Sequence, residues 1–151
     1  MEVGVSKHAS MNIALVQARE ALMTNFRPIL NEAGVTEQQW RIIRLVAENG
    51  TSDFQSLAED ACILRPSLTG ILVRLEKNGY LVRLKPANDQ RRVFIKLTDA
   101  GKRLYQEIGS RVDERYDAIE RVMGKSKMEQ LRGLLSDLHT ARHPLPPADA
   151  V

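Results

Sequence analysis

At 151 residues the chain has material for about one domain of ordinary size, and its 43% hydrophobic and 27% charged content is that of a folded globular protein. No apolar run approaches the roughly 18 residues a membrane span needs, and the stretch 11–17 is too short and too poorly flanked for a signal peptide. The single cysteine, Cys62, has no partner for an internal disulfide, so a membrane protein or a disulfide-stapled module does not fit and a reducing, cytoplasmic setting is expected. The net charge of +3 hides an uneven spread: from Arg65 to Arg103 there are ten Lys or Arg against three acids, and in the remainder twelve against sixteen. Such a basic block is either a solvated face or a polyanion-binding surface, and the second reading is favoured.

Taken in chain order, Leu15, Leu22 and Ile29 recur every seven residues, and Val16, Met23 and Leu30 do so one step on. This predicts a first helix over about 11–33 with an apolar arc too wide for one neighbour to cover. Thr36 and Gln39 form a capping box, with a hydrophobic staple between Val35 and Trp40. They open a second helix that stops at Asn49-Gly50 and turns Trp40, Ile43 and Ala47 to the core. A short helix follows from Ser52 or Asp53, with Phe54, Leu57, Ala58 and Ala61 at helical spacing, then a turn at Cys62-Ile63-Leu64. Pro66 restarts the chain as a first helical residue. This fourth helix buries Leu68, Ile71, Leu72 and Leu75 and ends at Asn78-Gly79, so two short helices joined by a tight turn give a helix-turn-helix pattern.

Past Gly79 the apolar period drops from 3.6 to 2. Leu81, Arg83 and Lys85 alternate with Tyr80, Val82 and Leu84, and Val93, Ile95 and Leu97 with Arg92, Phe94 and Lys96. Around the turn-forming Pro86-Ala87-Asn88-Asp89 this reads as a two-stranded wing with basic residues at its tip. Thr98 caps a long helix to about 123 with the stripe Leu104, Ile108, Val112 and Ile119. A second capping box, Ser126 to Glu129, opens a last helix bearing Met128, Leu131, Leu134, Leu135 and Leu138. The tail over 143–151 is expected to be disordered. The fold class is therefore mostly α (α+β): about six helices and a two-stranded wing in a winged helix-turn-helix.

In a helix-turn-helix the second helix enters the major groove, so the residues opposite its buried stripe are the DNA-binding candidates: Pro66, Ser67, Thr69, Gly70, Val73 and Arg74, with Arg65 beside them. Small residues at 67, 69 and 70 let the backbone approach base pairs, Thr69 and Val73 suit thymine methyls, and Arg65 and Arg74 suit guanine edges or phosphates. The run from Asp89 to Gly101 (DQRRVFIKLTDAG) then resembles the wing signature of the multiple-antibiotic-resistance regulator (MarR) family, and the likeness extends over roughly 11–140. Within the family, Ala18-Arg19-Glu20, the run from Thr36 to Arg41 and the run from Cys62 to Gly70 resemble the repressors of homoprotocatechuate-degradation operons.

The resemblance implies a homodimeric repressor of double-stranded DNA at a palindromic operator, relieved by a small aromatic acid. It divides the chain into a discontinuous dimerisation region, 1–34 and 99–142, around a winged DNA-binding domain at 35–98. Carried onto this sequence, the wing motif has Arg91 or Arg92 enter the minor groove while Asp89 holds an arginine in position. A phenol, an antibiotic or an N-heteroaromatic acid as effector, or a winged-helix module that binds protein instead of DNA, are the alternatives; the retained arginine-rich wing argues against the last.

An aromatic carboxylate calls for an arginine fork and an apolar wall, which singles out Arg19 in the first helix and Trp40 at the start of the second, with Met23 and Arg41 behind them. Arg19 reads equally as one half of a salt bridge and Trp40 as core. Other constellations fail. Gly124-Lys125-Ser126 lacks the first glycine and the preceding strand of a phosphate loop. His139 and His143 are four apart without further metal ligands nearby, and Cys62 is expected to be a packed, inert thiol. No nucleophile and base are paired, so no enzyme, cofactor or metal is expected.

Overall fold

The computed structural model describes Met1, Val3, Gly4 and residues 9–141; the predicted tail and His143 lie outside these. The elements run α1 (Ala9–Glu32), α2 (Glu37–Asn49), β1 (Ser52–Asp53), α3 (Phe54–Ala61), α4 (Arg65–Lys77), β2 (Leu81–Leu84), β3 (Phe94–Leu97), α5 (Asp99–Met123) and α6 (Lys125–Thr140). They form two compact units, one through Val112 and one from Asp113 onward.

Burial in the first unit follows the predicted periodicity closely in the helix-turn-helix. Leu68, Ile71, Leu72 and Leu75 of α4 are all buried, as are Leu57, Ala58 and Ala61 of α3. In α2 the capping box is formed in both directions, with Gln39 N–H donating to Thr36 Oγ1 at 3.1 Å and Thr36 N–H to Gln39 Oε1 at 3.0 Å. Its core face is broader than expected: Ile42 and Val46 join Trp40 and Ile43, whereas Ala47 is only half-buried. Helix α2 is enclosed by α1, α3, α4 and β3, so a single stripe cannot describe it. In α1 the arc is graded. Phe26, Ile29 and Leu30 are buried, Leu15, Leu22 and Met23 half-buried, and Met11, Ile13 and Val16 exposed.

Three of these helices end in the same hydrogen-bond pattern. Val35 N–H reaches Leu30 O, Ile63 N–H reaches Ala58 O and Tyr80 N–H reaches Leu75 O, each at 3.0 Å, across a left-handed residue. Glycine occupies that position after α4 (Gly79, φ 81°), but after α3 it is Cys62, φ 54°. The left-handed turn carries the Cys62 side chain outward, so the expectation of a packed thiol is corrected: it is exposed. Pro66 also shifts by one place, because Leu64 is the N-cap and Arg65 the first helical residue.

The sheet has three strands in the order β1-β3-β2, antiparallel throughout, instead of the two expected. Ser52 and Asp53 pair with Ile95 and Phe94, and Asp53 then caps α3 through Ser56 N–H. A two-residue strand has no periodicity to read. At the root of the wing Thr98 Oγ1 accepts from Gly101 N–H at 3.1 Å and donates to Gly79 O at 2.6 Å, while Thr98 N–H donates to Tyr80 O. Gly101 makes this joint possible, since a Cβ there would lie 2.0 Å from Tyr80 O. The start of α5 is thereby fixed to the end of α4.

In the second unit α6 starts one residue after Gly124 with no side-chain cap, so the expected Ser126–Glu129 capping box is not formed. Ser126 is already inside the helix, where its hydroxyl cannot take the N-cap position. Met128 is buried, and Leu131, Leu134, Leu135 and Leu138 are exposed along with Val122 and Met123.

Candidate nucleic-acid interface

Because α4 commits Leu68, Ile71, Leu72 and Leu75 to the core, its other side is left bare. Arg65, Pro66, Ser67, Thr69, Gly70, Val73 and Arg74 are all exposed and constitute that one side. Thr69 Oγ1 donates to Arg65 O at 3.1 Å, the i−4 bond open to a helical hydroxyl. Nothing lies within 4 Å of where a Gly70 Cβ would sit, so packing within the chain does not require glycine there. An outside partner approaching the backbone would.

At the wing tip, Asp89 Oδ1 accepts Arg91 N–H at 3.1 Å and lies 3.6 Å from Arg91 Nε, which orders the turn that presents Arg91. The Arg91 side chain is 96% exposed. Arg92 behaves differently, its guanidinium carbon sitting 4.9 Å from the centre of the Phe94 ring in a cation–π contact. Of the two adjacent arginines, one extends into solvent with a long contact to Asp89 and the other is laid against the sheet.

A pairing that sequence reasoning missed joins the wing to α4. Glu76 accepts from Arg83 Nη2 at 2.9 Å, from Arg83 Nε at 3.2 Å and from Arg83 N–H at 3.2 Å. The Arg83 guanidinium holds the Glu76 carboxyl below the usual carboxylate range, and Glu76 in turn raises Arg83. The partners are on different elements, seven residues apart, where no helical or strand spacing rule applies.

The four candidate effector residues lie on α1 and α2, and Glu37 is the hub for two of them. Arg19 Nη2 donates to Glu37 Oε2 at 2.5 Å, with Arg27 at 3.5 Å and Arg41 at 3.9 Å also facing that carboxylate. Arg19 first, then these neighbours, keep Glu37 below its ordinary range. Arg41 Nη1 also donates to Ala61 O at 2.9 Å, tying α2 to the end of α3. Trp40 is buried and stacks on Tyr105, ring centres 5.8 Å apart and planes 22° apart. Met23 is half-buried. Two clefts, of about 610 Å³ beside α4 and about 280 Å³ beside Tyr105, are lined by none of the four. Among the described residues no three His, Cys, Asp or Glu come together as a metal site, and no helix is long and apolar enough to cross a membrane.

A bare recognition helix beside an arginine-tipped wing defines a winged helix-turn-helix DNA-binding regulator. The MarR family profile matches residues 35–93. The chain is 72% identical to the transcriptional regulator FarR of Neisseria gonorrhoeae over 133 residues, 88% of this chain and 91% of that one. It is 52% identical to the homoprotocatechuate degradative operon repressor of Escherichia coli over 130 residues, 86% and 88% of the two chains. The solved structure of NadR in complex with 4-hydroxyphenylacetate superposes with a TM-score of 0.85 at 70% identity, covering 91% and 98%. The chain belongs to the MarR family. It is a DNA-binding transcriptional repressor of the MarR type and not an enzyme.

Proposed function

We propose that the protein acts as a homodimer on a near-palindromic operator controlling aromatic-acid catabolism, and that a small aromatic acid releases it. The observation that carries DNA reading is the exposed side of α4, small at Ser67, Thr69 and Gly70, together with a wing tip where the Arg91 side chain is 96% exposed. Twofold symmetry then requires half-sites about one helical turn apart, with α4 in successive major grooves and Arg91 in the flanking minor groove. Dimerisation is supported by the apolar residues that α1 and α6 leave exposed, more than a solvated helix needs.

Effector class is supported by the 70%-identical NadR, solved with 4-hydroxyphenylacetate, and by the repressor named for homoprotocatechuate degradation. Arg19 is the proposed carboxylate partner. It already holds a carboxylate, that of Glu37, so an aromatic acid binds by exchanging one anion for another. Release follows only if the acid binds the non-DNA conformation more tightly than the DNA-bound one. The test is titration of 4-hydroxyphenylacetate into the complex with a fluorescent duplex from upstream of the gene, read by anisotropy. Wild type is expected to release the duplex, and Arg19→Ala to bind it normally with an inducer curve displaced at least about tenfold, as expected for losing a charged hydrogen bond. Identical curves remove Arg19 from the site. No release by any aromatic acid removes the effector class.

A further inference from the structure

Helix α4 and the wing tip have to meet the same duplex, and the core anchors the root of the wing through Leu81, Ile95 and Leu97, leaving the outer side of β2 to be held by surface contacts. In β2 only Leu81 is buried, while Val82, Arg83 and Leu84 face outward. Between the wing and α4 lies an open cleft of about 610 Å³ bordered by Thr69, Glu76, Arg83 and Lys85. Glu76 reaches across its edge to Arg83 with both carboxylate oxygens, and one bond goes to the Arg83 backbone N–H. That bond ties the main chain of β2 to the recognition helix, which a side-chain pair alone would not do. The guanidinium fork adds planar geometry to the same tether.

We propose that Glu76 is a positioning residue for operator discrimination: through Arg83 it sets the wing against α4, so that major-groove contact and minor-groove insertion are satisfied together only on a duplex of the right local shape. The proposal rests on the DNA-binding reading above. It also means that Arg83, although it belongs to the basic block, is committed to the tether and is not a phosphate contact. The expected preference is for a narrow A·T-rich minor groove at a fixed distance from the α4 half-site, because a held wing cannot adjust to a wide one.

The test compares wild type, Glu76→Gln and Arg83→Gln on two duplexes of equal length across a salt series, by fluorescence anisotropy. One duplex is selected from a random library by the wild-type protein and the other is its scrambled counterpart. The two substitutions change the charge near DNA in opposite directions, so Glu76→Gln raises and Arg83→Gln lowers affinity for the scrambled duplex. Both are nevertheless expected to lower the ratio of selected to scrambled affinity, by about tenfold, the scale of one mismatched base pair. A merely structural role reduces the active fraction for both duplexes alike and leaves that ratio unmoved. If Arg83→Gln weakens both duplexes equally and lowers the salt slope by about one per protomer, Arg83 is a phosphate contact and the proposal is overturned. Unchanged ratios in both variants overturn it too, while the operator reading stands. A wild type that selects no duplex overturns both.

Discussion

The unequal states of Arg91 and Arg92 lead to a quantitative expectation for the wing. Arg91 is 96% exposed and pairs with Asp89 at 3.6 Å, a surface pair of little energetic weight. Replacing it with Ala therefore leaves folding stability within about 0.5 kcal/mol of wild type. Its effect falls on DNA. At about 1 kcal/mol for each inserted arginine, and with the two wings of the proposed homodimer, the loss is about 2 kcal/mol, roughly 30-fold in operator affinity. Arg92 must first leave the Phe94 face, which costs about 0.5–1 kcal/mol at an exposed site and offsets most of what it would gain in the groove. Arg92→Ala is accordingly expected to lower operator affinity severalfold at most while reducing stability by about that same amount. Anisotropy titrations of the two single variants at one salt concentration, paired with urea denaturation, read both quantities. A larger affinity loss for Arg92→Ala than for Arg91→Ala would refute the reasoning, since it would mean that the stacked arginine is the one that enters the groove.

Thr98→Val removes an N-cap and a bond to Gly79 O together, so it is expected to destabilise by about 2 kcal/mol in urea denaturation, with Thr98→Ser near wild type. Glu37 titrates below its ordinary value of 4.5 because of Arg19 and its neighbours, so the native state binds fewer protons there than the unfolded chain. Its contribution is complete above that value and disappears as pH falls through the lower native one; the stability gap between wild type and Glu37→Gln should therefore be constant above pH 4.5 and narrow as pH falls below it. If α6 contributes its exposed leucines to the dimer, Leu135→Glu with Leu138→Glu yields a folded monomer in light scattering. A stable dimer of that variant takes this face of α6 out of the interface.

Features legible in the sequence were those whose physical cause acts within a few residues. The α4 stripe Leu68, Ile71, Leu72 and Leu75, the Thr36–Gln39 box and the stops at Gly50 and Gly79 are set by helical period, cap chemistry and left-handed turns, all readable at spacings of one to four. The opposite side of α4 followed from the buried side, so its exposed residues were legible as well. Tertiary structure decided whatever depended on elements meeting. The strand at Ser52–Asp53 exists because β3 offers it a partner, and Ile42 and Val46 are buried because α2 is enclosed on several sides. Cys62 is exposed because its left-handed turn directs it outward. The same holds for charge: side chains 18 apart put Arg19 on Glu37, and the end of a helix facing a neighbouring strand puts Arg83 on Glu76. Ionic partners of long, flexible side chains carry no periodic signature; the packed elements bring Glu76 onto the Arg83 fork and gather three arginines around Glu37, and leave Arg91 at the wing tip with the longer Asp89 contact.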